Sequence, residues 1–302
     1  MAIILWICKC AFATVRGGVN KGLGEACQSF YRILHKEERI MSLDMKQLAG
    51  KLCVVTGAAR SVGFDIAKRY AANGAVVVML DINPQVVDAA QELCRSGGHA
   101  EGYTLDVTDG QAVVRRFRTV IQEHGPVYAL VNSAGIMEIS PFEETTDEIW
   151  RRVWEINVMG TVHCIRGAIG SMREQKCGKI INFASKAGKT GSKLMTVYGA
   201  SKGAVITLTQ ALAQEYARYG LKINCLCPDI IDDSGVWAQA NKMYAESLHM
   251  SPEEVKTLYE SKVPLGRFAT KEDITDMVCF YTVSGEDCTG QSINITGGRF
   301  MH

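Results

Sequence analysis

Short apolar runs alternate with longer amphipathic stretches from about residue 48 to the carboxyl terminus. The runs are rich in Val, Ile and Leu, which is typical of strands buried on both faces of a parallel sheet. This pattern predicts seven strands, at residues 51–56, 75–80, 100–105, 127–132, 179–184, 221–227 and 292–296. It predicts intervening helices at residues 64–73, 84–96, 109–124, 148–174 and 196–215.

The alternation of strands and helices continues without a linker or an internal repeat. It therefore predicts a single doubly wound α/β domain of the Rossmann type over residues 45–302, with a seven-stranded parallel sheet. An insert at about residues 229–263 follows the sixth strand. Within it, Ser251, Pro252 and Glu254 match a helix capping box with proline at the first helical position. We expect this helical insert to be the substrate loop, because ligands bind beyond the carboxyl ends of the strands in such sheets.

Residues 1–44 do not continue this pattern. Residues 1–15 are largely apolar but contain Lys9, and the run is too short and interrupted to span a bilayer. A basic stretch follows at residues 16–39, so a weak mitochondrial presequence is one interpretation. We favour an extension that is either poorly ordered or not part of the working protein, with translation starting at Met41 or Met45.

Composition and charge exclude several classes of function. The chain has 302 residues, a formal net charge of +1 and 47% hydrophobic residues, which is typical of a soluble globular protein. This near-zero charge gives no electrostatic reason to expect nucleic acid or a membrane surface as a partner. The 11 cysteines include no C-x-x-C pair, so we expect reduced thiols, no metal site and a cytoplasmic location.

Tyr198 and Lys202 lie four residues apart in a stretch with helical spacing, so both side chains share one helix face. An ammonium close to a phenol favours the phenolate and lowers a pKa that is ordinarily about 10. Such a phenol can exchange a proton with an alcohol or a carbonyl near neutral pH. Taken alone, the pair is also compatible with an ordinary buried tyrosine and a solvated lysine.

The turn between the first strand and the first helix carries glycines at Gly57 and Gly63. In this context, backbone N–H groups and the helix N-terminus favour a pyrophosphate. Asp81 follows the second strand, where a carboxylate accepts a hydrogen bond from a ribose hydroxyl and repels a 2′-phosphate. The sequence thus favours NAD over NADP, although Arg60 in the turn could accept a 2′-phosphate and Asp81 could instead be a helix cap.

Together these residues resemble the short-chain dehydrogenase/reductase family over about residue 48 to the end. The resemblance rests on motifs in the family order: Thr56-Gly57-x-x-x-Ser61-x-Gly63, Asp106-Val107, Asn132-Ser133-Ala134-Gly135, Asn157, Ser185 and Tyr198-x-x-x-Lys202. The sequence departs from the family pattern at Ser61, where glycine is usual. It departs again at Asp229 and Asp233, which stand where the family commonly has glycine and threonine.

The resemblance implies a catalytic tetrad and a cofactor site. In the tetrad, Tyr198 is the general acid/base and Ser185 hydrogen-bonds the substrate oxygen. Lys202 lowers the phenol pKa and holds the nicotinamide ribose, and Asn157 supports a water in the proton relay. The implied cofactor contacts are Gly57, Arg60, Ser61, Val62, Gly63, Asp81, Asp106, Val107, Asn132, Ala134, Gly135, Tyr198, Lys202, Pro228 and Ile231. The family also implies a homodimer or a homotetramer.

Two charged groups near the tetrad bear on the substrate. Lys186, Lys189 and Lys193 follow Ser185 and would attract a phosphate, and Trp237 in the insert could shape the pocket. The acidic residues Asp229, Asp232 and Asp233 would repel a phosphate.

Residues 185–193, 263–265 and 288–298 resemble the sorbitol-6-phosphate 2-dehydrogenases, and the insert is similar to that of NAD-dependent polyol dehydrogenases. This resemblance implies the reversible oxidation of a sugar alcohol or, slightly preferred, its phosphate. One alternative is a 3-oxoacyl carrier-protein reductase, which shares the catalytic residues but usually prefers NADP. Another is an NAD-binding scaffold without catalysis.

Overall fold

The computed structural model describes residues 44–232 and 234–302. The expectations for residues 1–43 and for Asp233 lie outside these described residues. In the described part of the chain, no helix is long and apolar enough to cross a membrane.

A seven-stranded sheet forms the centre of the fold, and all of its strand pairs are parallel. Its order is β3-β2-β1-β4-β5-β6-β7. The strands are β1 Leu52–Thr56, β2 Val76–Asp81, β3 His99–Thr104, β4 Val127–Asn132, β5 Gly178–Phe183, β6 Leu221–Pro228 and β7 Ser292–Ile295. The strand order reverses between β1 and β4, which opens a crevice at the carboxyl ends of these two strands.

Helices cover the sheet on both faces. They are α1 Ser61–Ala72, α2 Val86–Arg95, α3 Gly110–His124, α4 Asp147–Trp154, α5 Gly160–Glu174, α6 Ala187–Thr190, α7 Thr196–Tyr216, α8 Gly235–Leu248, α9 Pro252–Glu260 and α10 Lys271–Val283. A π-helical segment at Glu155–Met159 joins α4 to α5. Short 3₁₀ turns lie at Met45–Leu48, Phe142–Glu144 and Ala217–Tyr219.

The predicted sheet is confirmed, with each strand end within one residue of its prediction. The capping box of Ser251 and Glu254 at the start of α9 is also confirmed. The prediction of one continuous helix over residues 148–174 is wrong, because the π-helical segment divides it.

Helix α10 is missing from the prediction, although Thr270 and Asp273 form a capping box at its start. Its buried face includes threonines and a cysteine among the apolar residues, which weakens the amphipathic signal. In the structure α10 packs against α1, where the hydroxyl groups of Tyr70 and Thr282 are 2.6 Å apart.

Helices α3 and α5 pack closely on one face of the sheet. Their contact depends on a glycine, Gly167, because a larger residue there would meet the facing helix. A Cβ atom added at Gly167 of α5 would lie 2.6 Å from Cγ of Phe117 on α3. Phe117 is 1% exposed and belongs to the main core cluster, so its ring has no free space to enter. Gly170, one turn further along α5, has no atom within 4 Å of such a Cβ.

These two glycines provide a matched test of the packing. We expect Gly167→Ala to lower the free energy of unfolding by about 1–3 kcal/mol, because it overpacks the contact with Phe117. Gly170→Ala should raise it by about 0.5–1 kcal/mol, because alanine favours the helix and meets no obstacle. Urea denaturation of both variants measures the two effects, and equal changes in both would contradict this packing.

Candidate active site

A cleft of about 1540 Å³ lies at the carboxyl ends of the strands. It exceeds the roughly 300–1,000 Å³ of a typical small-ligand pocket, so it has room for a dinucleotide and a substrate together. It extends from the β1–α1 turn to the insert.

Most of the predicted site residues line this cleft. These are Gly57, Arg60, Ser61, Val62, Gly63, Asp81, Asp106, Val107, Ala134, Gly135, Ser185, Lys186, Lys193, Tyr198, Lys202, Pro228, Ile231 and Trp237. Three predicted residues do not line it: Asn132, Asn157 and Lys189.

The β1–α1 turn forms a cradle that side chains would fill. Gly57 has a φ of +65°, and a Cβ there would lie 2.9 Å from the backbone of Ala134. A Cβ at Gly63 would collide with the carbonyl oxygen of Gly57. Ser61 adopts a φ of +55°, a conformation that favours glycine, which is the residue usual at this position in the resembled family. The turn therefore brings its backbone and the N-terminus of α1 to the cleft, as a pyrophosphate requires.

Asp81 is held at the end of β2 by two backbone groups. Its Oδ2 accepts a hydrogen bond from the N–H of Ala59 at 2.9 Å, and its Oδ1 accepts one from the N–H of Asn83 at 2.9 Å. Each carboxylate oxygen has a further lone pair with which it can accept a hydrogen bond from a ribose hydroxyl. The glycine cradle and this fixed carboxylate fit a nicotinamide dinucleotide.

Asn132 and Asn157 do not line the cleft, but their side chains hold together the elements behind its wall. The side-chain amide of Asn132 donates to Oδ1 of Asn182 at 2.8 Å and so ties β4 to β5. Oδ1 of Asn157 accepts the N–H of Ile136 at 2.8 Å, and its Nδ2 donates to the carbonyl of Ile136 at 2.9 Å and to Ser201 at 3.0 Å. Asn157 thus fixes the loop after β4 against α7.

Ser185, Tyr198 and Lys202 meet at the inner wall of the cleft. The N–H of Ala187 donates to the Ser185 hydroxyl at 3.2 Å, and this hydroxyl donates to the carbonyl of Pro228 at 3.4 Å. Lys202 is 5% exposed, donates to the carbonyl of Phe183 at 2.7 Å and lies 5.7 Å from the centroid of the Tyr198 ring. One turn of α7 separates the phenol from the ammonium, as the sequence spacing predicts.

The electrostatics of this group differ from the sequence-based expectation. Burial raises the pKa of the Tyr198 phenol, and the Ser185 hydroxyl opposes the rise. Burial also lowers the pKa of Lys202 to about 8. The net shift of the phenol pKa is therefore upward, opposite to the expected lowering, and burial is its main cause.

The three predicted lysines do not act as one cluster. Lys186 and Lys193 line the cleft, and Lys193 is exposed at its rim. Lys189 donates instead to the carbonyl of Ser292 at 2.6 Å, outside the cleft. Trp237 is 7% exposed and packs edge-on against Phe268 at a centroid distance of 5.0 Å, so it supports the insert as well as the cleft.

The acidic residues of the insert also separate. Asp232 forms an ion pair with Lys256 at 2.9 Å, whereas Asp229 faces the cleft. Asp229 is paired with Arg299, a residue that the sequence motifs do not single out. In the sequence, Arg299 is marked only by the two glycines that precede it, Gly297 and Gly298, which predict a turn. Its partner Asp229 lies 70 positions away.

Elsewhere in the described residues, Glu101, Glu123 and His124 could offer metal-ligand atoms within 4.8 Å of one another. This group lies where β3 and the end of α3 meet and does not line the cleft. The cleft chemistry does not involve it.

Known proteins are similar to this chain in sequence and in structure. Galactitol 2-dehydrogenase of Agrobacterium fabrum is 34% identical over 257 residues, which cover 84% of this chain and 99% of the relative. The crystal structure of an NAD⁺-bound xylitol dehydrogenase matches with a TM-score of 0.79 and 30% identity, covering 83% of this chain and 99% of that chain. The crystal structure of sorbitol-6-phosphate 2-dehydrogenase from Erwinia amylovora matches with a TM-score of 0.80 and 32% identity. The match covers 83% of this chain and 100% of that chain.

The family model described as short chain dehydrogenase matches residues 51–245. This range contains the glycine cradle, Asp81 and the group of Ser185, Tyr198 and Lys202. The resemblance to polyol dehydrogenases is confirmed by the relatives and by the structural neighbours. The protein is an oxidoreductase of the short-chain dehydrogenase family, with a site built to act on a CH–OH group.

Proposed function

We propose that the protein reversibly oxidises a secondary alcohol of a sugar alcohol to a ketone with NAD, and that the phosphorylated sugar alcohol is its preferred substrate. The observation that carries this proposal is the Tyr198 phenol, which lies with Ser185 and Lys202 in the wall of a cleft that continues to the insert. The similarity to galactitol, xylitol and sorbitol-6-phosphate dehydrogenases supports the class of substrate.

The cofactor fits the end of the cleft that holds the β1–α1 turn. The backbone of residues 57–63 would bind the pyrophosphate, and Asp81 would accept hydrogen bonds from the adenine ribose. When bound, the nicotinamide ring supplies the acceptor for the hydride that leaves the substrate carbon. Lys202, beside Gly135 in the same wall, would hold the nicotinamide ribose.

The catalytic residues handle the proton. The Ser185 hydroxyl orients the substrate oxygen, and Tyr198 removes its proton as the C–H bond breaks and the C=O bond forms. The ammonium of Lys202, 5.7 Å from the centroid of the Tyr198 ring, would favour the phenolate and so oppose the effect of burial on the phenol pKa. In the reverse direction Tyr198 returns the proton to the carbonyl oxygen.

The far end of the cleft suits a polyhydroxylated substrate with an anionic end. Tyr244 and Tyr259 stack at a centroid distance of 5.1 Å and line the cleft together with Trp237. Lys186 and Arg299 add positive charge to the same wall. Aromatic side chains with polar tips and fixed cations are suited to a chain of hydroxyls ending in a phosphate.

A substrate panel tests the proposal. The purified full chain is offered NAD or NADP with sorbitol, sorbitol 6-phosphate, galactitol or mannitol, and cofactor reduction is followed by absorbance. We expect NAD reduction, fastest with the phosphate. Silence with every polyol would contradict the proposal, and concurrent NADPH oxidation with an acetoacetyl thioester would favour the 3-oxoacyl reductase alternative. Binding of NAD without any turnover would favour the scaffold.

Replacing Tyr198 by phenylalanine removes only the proton-transferring hydroxyl. We expect Tyr198→Phe to lower kcat by about 10²–10⁴-fold while the Kd for NAD changes little. Tyr216→Phe, on the same helix but outside the cleft, is the matched control and should leave kcat unchanged. A Tyr198→Phe enzyme with near-normal kcat would exclude the phenol as the acid/base.

Cofactor choice should depend on the charge of Asp81. We expect Asp81→Asn to raise kcat/KM with NADP about tenfold or more relative to NAD, because the carboxylate that repels a 2′-phosphate is gone. Asp88→Asn, an exposed acid on α2, is the control. An unchanged NADP-to-NAD ratio in Asp81→Asn would contradict the assignment.

The buried charge of Lys202 should appear in the pH dependence of stability. Its pKa is about 8 in the folded protein against 10.5 ordinarily, so the unfolded chain binds more protons between pH 8 and 10.5. The free energy of unfolding of the wild type, relative to Lys202→Met, should therefore rise by about 1–3 kcal/mol across this range. Urea denaturation at several pH values measures it, with exposed Lys193→Met as control; parallel curves for wild type and Lys202→Met would refute the buried charge.

A further inference from the structure

The C-terminal turn, residues 296–300, is folded onto the insert. Gly297 and Gly298 have φ values of +60° and +88°, which allow the chain to reverse after β7. The N–H of Arg299 donates to the carbonyl of Thr296 at 3.1 Å, and the N–H of Phe300 donates to the Thr296 hydroxyl at 3.2 Å. A Cβ at Gly298 would lie 3.2 Å from the Pro264 ring, so the turn is pressed against the segment that follows the insert. Arg299 is thus delivered to the cleft by an ordered backbone.

Arg299 and Asp229 form a largely buried ion pair in the cleft wall. Nη1 of Arg299 donates to Oδ2 of Asp229 at 2.9 Å, and the two side chains are 16% and 9% exposed. Asp229 directly follows Pro228, whose carbonyl accepts the N–H of Lys186 at 3.0 Å. The pair therefore lies beside the loop that carries Ser185.

Positive charge exceeds negative charge at this place. The Nζ of Lys186 lies 4.1 Å from the centroid of the Phe300 ring, and the guanidinium carbon of Arg299 lies 5.3 Å from the same centroid. Two cations thus share one aromatic ring and one carboxylate, Asp229. Burial lowers the pKa of Lys186, with Asp229 opposing this and Arg299 adding to it. An anion bound between the two cations would offset this excess charge.

We propose that Arg299, together with Lys186, binds the phosphate of the sugar alcohol phosphate and so determines specificity for the phosphorylated substrate. In this arrangement Asp229 orients Arg299 through one nitrogen, and the remaining donors of the guanidinium fork bind phosphate oxygens. Lys186, whose Nζ also donates to the Ser192 hydroxyl at 3.0 Å, contributes a second positive charge. This inference rests on the proposed function and deepens it.

The proposed site keeps Lys186 of the phosphate site expected from the sequence but has Arg299 in place of Lys189. Lys189 donates a hydrogen bond to the carbonyl of Ser292 outside the cleft. Arg299, close to the carboxyl terminus of the chain, lines the cleft. In the proposed site Asp229 has two roles. Its negative charge lowers the affinity for phosphate, and its hydrogen bond positions the guanidinium of Arg299.

Variants at these positions separate the phosphate contact from general effects. We expect Arg299→Met to lower kcat/KM for sorbitol 6-phosphate about 10–100-fold and kcat/KM for sorbitol less than about threefold. Asp229→Asn keeps a hydrogen-bond acceptor for Arg299 but removes the competing charge, so inorganic phosphate should inhibit this variant several-fold more strongly than the wild type. Lys189→Met, outside the cleft, is the control and should change neither substrate. An equal loss with both substrates in Arg299→Met would overturn the inference.

A binding measurement keeps this test independent of the proposed function. With saturating NAD to occupy the pyrophosphate site, inorganic phosphate should raise the Tm of the wild type, because a ligand that binds the folded state stabilises it. Arg299→Met should lose this rise and Lys189→Met should keep it. If no polyol is oxidised but this pattern is found, the proposed function fails and the anion site stands. If phosphate shifts the Tm of NAD-loaded wild type and Arg299→Met equally, or of neither, the anion site is refuted.

Discussion

The site depends on a lysine ammonium buried beneath a phenol. Burying a cation is unfavourable unless a polar group faces it, and here the carbonyl of Phe183, at the end of β5, accepts a hydrogen bond from Lys202. This bond fixes α7 against the sheet edge where Ser185 begins the next loop. Tyr198 lies one turn earlier on the same helix, so this bond also sets the position of the phenol in the cleft.

Much of this arrangement could be predicted from the sequence, because it follows from local patterns. Parallel strands buried on both faces need unbroken apolar runs, and those runs located β1 to β7 almost to the residue. The carboxyl ends of parallel strands meet at one edge, so the turn at Gly57, the acid at Asp81 and the loop at Ser185 were expected to converge. The placement of Tyr198 and Lys202 on one face of α7 follows from their four-residue spacing and the helical period alone.

The features that were missed depend on contacts between distant parts of the chain. Arg299 faces Asp229 only because Gly297 and Gly298 reverse the chain, and no periodic pattern reports such a pairing. The hydrogen bonds between the Asn157 side chain and the backbone of Ile136 also join two segments 21 positions apart, which the motif position of Asn157 does not reveal. The pKa of Tyr198 likewise depends on how deeply its phenol is buried, and a single sequence does not specify the burial of one side chain.

The central claim is that this cleft transfers a hydride from the carbinol carbon of a sugar alcohol to NAD. Its most direct test is the reaction of NAD with sorbitol 6-phosphate or sorbitol deuterated at the oxidised carbon, followed by NMR of the reduced cofactor. The account predicts one deuterium on the nicotinamide ring of each NADH formed. Formation of NADH without deuterium, or no reduction with any sugar alcohol so labelled, would contradict it.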